Sequence, residues 1–190
     1  MQTDYFSNKT FEQETFDWRS MPQGEYEGCT FRSCEFSNAV LNGYKFIDCT
    51  FISCNLSMAS LVQTVLHKVK FESCKLLGLH FESCSPIGMT LAFEQCIMDH
   101  TSFYKTKLPQ TNFVSCSLAE ADFTGTDLKG SVFRDCDLRM AHFEQTNLEK
   151  ADLSSSINIV MDPNKNQLKN AVFSMHNLPG LLAVYKIKIR

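Results

Sequence analysis

Apolar side chains recur at every fifth position along most of the chain. In the unit Ala-Asp-Phe-Thr-Gly at residues 121–125, the central Phe123 follows a small residue two positions earlier, and residues 126–130 repeat this order. We call the central apolar residue position i. Every fifth residue from Phe93 to Leu153 is Phe, Leu or Met, and an earlier run extends from Tyr26 to Phe81. A period of five fits neither an amphipathic helix nor a flat strand, so the pattern predicts a repeat architecture.

The two runs are out of register with each other. Phe81 ends the first run and Phe93 begins the second, and their separation of twelve residues is two fives plus two. The sequence therefore predicts a two-residue insertion within residues 82–92, where Pro86 and Gly88 are typical turn residues.

A period of twenty is superimposed on the period of five, because residues twenty apart repeat in kind. Four units of five would form one square coil, and successive coils would stack at the strand spacing of about 4.8 Å. Positions i and i−2 then point inward as columns of like residues, while the other positions face water. Two phenylalanine columns and one cysteine column form the predicted core: Phe31, Phe51, Phe71, Phe93, Phe113 and Phe133; Phe103, Phe123 and Phe143; and Cys34, Cys54, Cys74, Cys96, Cys116 and Cys136.

The best units consist of a small residue, then Asp, then either Leu or Phe, then a polar residue and finally Gly, as in residues 121–130. This order resembles the repeat of the pentapeptide repeat family, and the resemblance covers about residues 11–178. It implies an all-β fold, a right-handed quadrilateral parallel β-helix. Outward residues such as Val65 and Lys70 depart from the family pattern, which leaves the inward positions unaffected.

The regular units occupy the middle of the chain. Residues 1–28, which contain the only tryptophan, Trp18, are predicted to form an N-terminal cap and the first irregular coil. Residues 29–154 form the predicted β-helix, and residues 155–178 are predicted to be distorted final coils. In residues 179–190 a proline at a helix start precedes the alternating segment Lys-Ile-Lys-Ile-Arg, which predicts a short helix and a strand. So apolar an end suggests a docking surface as well as a cap. Its predicted residues are Leu178, Leu181, Leu182, Tyr185, Ile187 and Ile189.

Nine cysteines are the most conspicuous candidates for chemistry, and all of them occupy position i−2. Thiols stacked about 4.8 Å apart on parallel Cα–Cβ bonds are badly placed for an unstrained disulfide, and no histidine shares their column to complete a zinc site. We interpret them as buried small apolar residues. The five histidines lie on different sides, and the chain has neither a Gly-x-Ser-x-Gly motif nor a phosphate-binding loop. The sequence therefore predicts no enzyme activity, no cofactor and no metal.

The charge of the chain is small and unevenly distributed. The net charge is −3, with −4 in residues 1–28, −4 in residues 92–154 and +4 in residues 155–190. Close imitation of DNA would need many more carboxylates on one side, because a duplex carries one charge per about 1.7 Å. The coils lack a basic stripe with aromatics, so we expect no direct nucleic-acid binding. With no signal-peptide pattern and no apolar run long enough to span a membrane, we expect a soluble cytoplasmic protein without a membrane partner.

Within the family, the chain resembles the quinolone-resistance (Qnr) type. The shared features are two runs of fives joined by a small break and the C-terminal segment at residues 178–189. This resemblance implies a non-enzymatic, rod-shaped homodimer, about 80 Å long if joined end to end, that binds DNA gyrase or topoisomerase IV. It also implies partial DNA mimicry and protection against fluoroquinolones. The break is far shorter than the protruding loops of Gram-negative Qnr proteins.

An alternative hypothesis is a structural or scaffold module that presents a flat face to an unknown protein partner. Outward apolar residues such as Ile47, Ile52 and Val62 would favour it if they formed one patch. An enzyme or metal protein based on the cysteine column is a third, disfavoured hypothesis.

Overall fold

The computed structural model describes residues 4–16 and 21–188, which wind into a four-sided β-helix. Trp18 of the expected cap and Ile189 of the expected interface lie outside the described residues. The strands are three or four residues long, because each side of a coil has only five residues. They are β1 (Asp4–Ser7), β2 (Thr10–Glu12), β3 (Gly24–Glu27), β4 (Thr30–Arg32), β5 (Lys45–Ile47), β6 (Thr50–Ile52), β7 (Val65–His67), β8 (Val69–Glu72), β9 (Leu91–Glu94), β10 (Asn112–Val114) and β11 (Val132–Arg134).

Each strand pairs in parallel with its counterpart in the next coil. Strands β1, β3, β5 and β7 form one side of the rod, which we call side 1. Strands β2, β4, β6, β8, β9, β10 and β11 form side 2. Sides 3 and 4 follow in chain order and consist of single-residue bridges such as Glu35–Asn55 and His80–Ser102. The predicted quadrilateral parallel β-helix is confirmed.

The chain turns most corners at position i+2, where the backbone adopts a left-handed conformation. The φ angle is 57° at Gln63, 54° at Lys105 and 69° at Gly125. Glycine adopts such angles without strain, whereas other residues pay about 1–2 kcal/mol. This is why Gly125 and Gly130 end the two most regular units.

One interruption separates β7 from the later coils of side 1. Phe71 pairs with Phe93, 22 residues later, whereas the partners in the other strand pairs are 20 residues apart. The amides of Ser85 and Thr90 still bond to the preceding coil. Residues 86–89 therefore contain the extra length, and side 1 has no strand in that coil.

The interior of the rod is a stack of aromatic rings. On side 2, the ring of Phe113 lies nearly parallel to those of Phe93 and Phe133, with centroids 5.1 and 4.7 Å away. Rings from side 4 meet this stack edge-on, at 85° between Phe103 and Phe113. Both arrangements are favourable for aromatic quadrupoles. All the residues of the predicted phenylalanine and cysteine columns are buried.

Position i−2 accepts larger side chains than the small ones expected from the best units. Tyr44, Val69, Leu79 and Leu91 occupy this position, and none is more than 5% exposed. Three of them flank the interruption at residues 86–89, where a longer coil leaves more interior volume to fill. Tyr44 is tolerated because its hydroxyl donates a 2.7 Å hydrogen bond to a backbone carbonyl.

The five-residue register fails after Leu153. Asn158 is exposed, and Ile159 and Met161 are buried in its place, at 3% and 5% exposure. A 3-10 helix at Pro163–Lys165 follows and is capped by the carboxylate of Asp162. The last coil is thus held by apolar residues that a strict period of five does not identify.

The C-terminal end is closed by short helices. A 3-10 helix (Met175–Asn177) leads into α1 (Leu178–Leu182) and then into a second 3-10 helix (Ala183–Tyr185). The expected C-terminal strand is not formed in the described residues 186–188, which is a correction to the sequence prediction. Lys186 ends the helix in a left-handed conformation with φ 51°, and the segment after it pairs with no strand in the described part of the chain.

Candidate protein-binding surfaces

All nine cysteines are free and buried. Eight of them donate an S–H hydrogen bond to a backbone carbonyl, as Cys54 does to Phe31 one coil earlier at 3.3 Å. Burial raises the pKa of Cys34 to about 11 and that of Cys49 to about 12, so both thiols are protonated at neutral pH. These thiols are weak nucleophiles that serve packing.

Threonine and aspartate side chains of the best units also bond to the backbone. Thr126 and Thr146 donate to carbonyls 23 residues earlier, at 2.7 and 2.9 Å. Asp122 and Asp152 accept a hydrogen bond from the amide two positions later, at 2.8 and 2.9 Å, which is a common local bond of aspartate. These four side chains thus stabilise the coil through bonds to its backbone.

The histidine side chains that make polar contacts have different partners. The Nδ1 atom of His67 lies 2.7 Å from the Gly88 carbonyl oxygen, and that of His80 lies 2.8 Å from a Glu82 carboxylate oxygen. Within residues 4–16 and 21–188, no group of three or more His, Cys, Asp or Glu residues could hold a metal ion. The outer surfaces and the two ends are therefore the remaining candidates for function.

Charged residues divide the C-terminal half of the rod into an acidic and a basic aspect. Apart from their corner with side 1, sides 3 and 4 carry six carboxylates between residues 99 and 162, against Arg139. Side 1 and its corner with side 4 carry six lysines over the same coils, against Asp127 and Glu149. The carboxylates are Asp99, Glu120, Asp122, Asp137, Glu144 and Asp162, and the lysines are Lys105, Lys107, Lys129, Lys150, Lys165 and Lys169.

Sides 3 and 4 of the N-terminal half are different, because Glu35 is their only charged residue over two coils. Residues 36–44 and 55–66 contain no Asp, Glu, Lys or Arg. Val40, Met58 and Val62 are 46%, 63% and 48% exposed on these segments. We call these three side chains and the segments around them the neutral strip.

The apolar patch hypothesised from Ile47, Ile52 and Val62 does not form. Ile47 belongs to β5 on side 1 and Ile52 to β6 on side 2, and both are half-buried. Val62 lies on side 4. Three residues on three sides of a square coil cannot contribute to one flat face.

The C-terminal end has an apolar surface that includes part of the predicted interface. Tyr185 and Ile187 are 53% and 56% exposed, and Leu178 is 37% exposed. Leu182 is half-buried, whereas Leu181 packs into the chain's own core and cannot contact a partner. Sequence reasoning missed other exposed apolar residues here, all but Val184 because they lie outside the predicted helix and strand. These are Ile157, Val160, Val172, Met175 and Val184.

None of the helices in the described part of the chain has the length and apolar character needed to cross a membrane. No curated protein sequence is significantly similar to the chain. The fold is similar to two trypsin-treated variants of QnrB1, each described as a plasmid-mediated fluoroquinolone resistance protein. Both match with a TM-score of 0.64 and 20% sequence identity; one match covers 98% of this chain and 100% of the trypsin-treated chain, and the other covers 95% and 98%.

The family model for the pentapeptide repeat region matches residues 25–91 and 87–157. These two matches include both registers of the five-residue pattern and the interruption between them. On this match over most of its length, the chain belongs to the pentapeptide repeat family.

Proposed function

We propose that the protein is a non-enzymatic, protein-binding rod of the Qnr-like type that binds DNA gyrase or topoisomerase IV and protects the enzyme from fluoroquinolones. The observation that carries this proposal is the match to a trypsin-treated variant of QnrB1, a fluoroquinolone resistance protein, over 98% of this chain and all of the trypsin-treated chain. The match supports a similar shape for the two proteins. A rod that docks as a rigid body is recognised through its shape, so similar rods can bind the same kind of partner.

The acidic aspect of sides 3 and 4 is the proposed contact with the topoisomerase. Its six carboxylates are spread over about three coils, so each coil contributes about two negative charges. Duplex DNA presents about three charges over the same 4.8 Å of axis. The mimicry is therefore partial, and the enzyme's DNA-binding surface would recognise shape together with a reduced charge.

A gyrase supercoiling assay tests this function directly. Purified protein is titrated into the assay with and without a fluoroquinolone, and we expect supercoiling to be restored in the presence of the drug. Glu120→Lys combined with Glu144→Lys should weaken the protection. Glu12→Lys combined with Glu14→Lys, at the other end of the rod, should leave it unchanged. If micromolar protein neither inhibits supercoiling nor protects gyrase from the drug, the topoisomerase proposal is wrong.

We also propose that the C-terminal apolar surface forms a homodimer interface. Leu178, Tyr185 and Ile187 would lie at its centre, because they are exposed and adjoin the helices that close the rod. An apolar cluster of this kind at the end of a monomer is costly in water and is stabilised by self-association.

Light scattering separates dimer from monomer. The full-length chain is compared with a chain that ends at Asn177, and the full-length chain should have twice the expected monomer mass while the shortened chain has the monomer mass. Tyr185→Ser with Ile187→Ser should reproduce the effect of truncation without removing α1. If the full-length chain is itself a monomer, the interface is wrong whatever the supercoiling result.

The neutral strip favours a second candidate function, a scaffold that binds a protein partner through an apolar contact. Val40, Met58 and Val62 give it exposed apolar area without any charged side chain. Met58→Lys tests this candidate, since a lysine there should abolish a scaffold contact but leave gyrase protection intact.

A further inference from the structure

The interruption of side 1 creates a groove that a regular coil would not have. Residues 86–89 lie outside the sheet that ends at β7. The next residue on this side that pairs with a neighbouring coil is Lys107. A groove lies between this inserted segment and the following coil. It is lined by Cys84, Pro86, Met89, Tyr104, Lys105 and Lys107, together with Glu82 and Thr106.

The floor of the groove is apolar. Cys84 is 4% exposed, and among the described residues it is the one cysteine whose thiol donates no hydrogen bond to a backbone carbonyl. Met89 packs against the core from above, so the thiol and the thioether together present a soft, polarizable surface. A floor of this kind accommodates an aliphatic or aromatic side chain.

The rim of the groove is positively charged. The Lys105 ammonium lies 4.7 Å from the centre of the Tyr104 ring, where it is held by a cation–π contact. Neither Lys105 nor Lys107 has a carboxylate within 4.0 Å in the part of the chain that the structure describes, whereas Lys68, Lys70 and Lys129 do. Glu82, the nearest acidic group of the lining, is already bonded to His80. Two ammonium groups are thus free for an external anion.

An exposed isoleucine stands beside the groove in a fixed position. Ile87 is 81% exposed, more than any other large apolar side chain in the described residues. The carbonyl of the next residue, Gly88, lies 2.7 Å from His67 Nδ1 and accepts the Thr90 hydroxyl at 3.2 Å. Because the segment is tied down on both sides, exposing Ile87 to a partner costs little additional ordering.

We infer that this groove, with Ile87 at its edge, binds an acidic protein segment that inserts an apolar side chain. Charge complementarity identifies the partner: carboxylates would pair with Lys105 and Lys107 while the apolar side chain rests on Cys84 and Met89. Two lysines beside an apolar floor do not form the continuous basic track that a phosphate backbone needs. The inference rests on the protein being a protein-binding rod, but not on gyrase being its partner.

Fluorescence anisotropy with defined peptides tests the groove. The probe is a fluorescein-labelled ten-residue peptide of alternating Asp or Glu with Leu or Phe. Two matched peptides replace either all acids by Lys or all apolar residues by Ser. We expect only the first peptide to bind. The double variant Lys105→Glu with Lys107→Glu should weaken its affinity at least about tenfold, equivalent to about 1.4 kcal/mol. Ile87→Ser should weaken the affinity as well.

The matched control is Lys150→Glu with Lys169→Glu, because these lysines are exposed on the same side and lie away from the groove. This control should change the affinity less than twofold. Equal loss in the two charge-reversed proteins would overturn the inference, since it would reveal only the general charge of side 1. Tighter binding of a labelled DNA duplex, or no peptide binding at millimolar concentration, would overturn it as well. The supercoiling assay stays independent of every one of these outcomes.

Discussion

Phe113 shows what a single inward residue contributes to the rod. Its ring is fully buried between two parallel rings and against two perpendicular ones. Phe113→Ala removes these contacts and leaves a cavity, because the backbone ladders on both sides prevent collapse. We expect a loss of about 3–5 kcal/mol in the free energy of unfolding, measured by urea denaturation followed by circular dichroism. Phe11→Ala, in the half-buried first coil, is the control and should cost clearly less.

The buried thiols predict a loss of stability at alkaline pH. Burial raises the pKa values of Cys34, Cys49 and Cys84 to about 11, 12 and 12, whereas an unfolded thiol titrates near about 8.5. The folded state therefore holds these protons more tightly, and its stability is complete below about pH 8.5 and decreases as pH rises toward the folded values. Urea denaturation between neutral pH and pH 11 measures this decline. Replacing the three cysteines by serine should make it shallower, and an unchanged slope would contradict the assignment.

Most inward residues can be predicted from the sequence. The period of five identifies the inward positions, and the period of twenty assigns each of them to one side of the coil. The exceptions have a physical cause. A side chain as large as Tyr44 is not expected at position i−2, because the Met21 carbonyl that accepts its hydroxyl hydrogen bond comes close only in the folded coil. Ile159 and Met161 are missed because they become buried only after the register has been lost.

At the scale of elements, α1 depends on one close backbone approach. A Cβ atom on Gly180 would lie 1.7 Å from the carbonyl oxygen of Ile159, which is backbone and cannot move aside. Gly180→Ala should therefore detach α1 from the last coil. We expect rapid proteolysis after about residue 177 and loss of the proposed dimer in light scattering.

Gly130→Ala is the matched control for this substitution. Gly130 has a φ of 68°, but the nearest atom to an added Cβ is the Gln110 Cγ at 3.6 Å, so the site has room. Its cost is backbone strain of about 1–2 kcal/mol, without an effect on proteolysis at the C-terminus. Equal proteolysis of the two variants would mean that the Gly180 contact does not hold α1.

The interruption and the C-terminal elements illustrate what a sequence pattern can specify. Counting from Phe81 to Phe93 gives the two extra residues, but only the hydrogen bonds of Ser85 and Thr90 place them on side 1. The expected strand after Tyr185 alternates correctly in sequence and still does not form in the described residues, since no neighbouring strand is available to pair with it. Alternation is necessary for an edge strand, but a partner is what stabilises it.

At the scale of the whole molecule, function depends on which side each outward residue occupies. The acidic aspect, the basic rim at Lys105 and Lys107, and the neutral strip all become recognisable only after the coil assigns residues to sides. Their partners are not encoded by the repeat, because the period constrains inward positions and leaves outward ones free to vary.

The rod should open from its ends, since each coil contacts only its neighbours. The N-terminal coil has one stacked neighbour, and its Phe6 and Phe11 are only half-buried, whereas Cys74 and Cys96 lie among fully buried rings. Pulsed alkylation followed by mass spectrometry should therefore label Cys34 faster than Cys74 or Cys96 under native conditions. Adding low urea should accelerate the central thiols more steeply, because their exposure requires more coils to unfold. A single rate for all three thiols would instead mean that the coils open together, and the nearest-neighbour description of this rod would have to be abandoned.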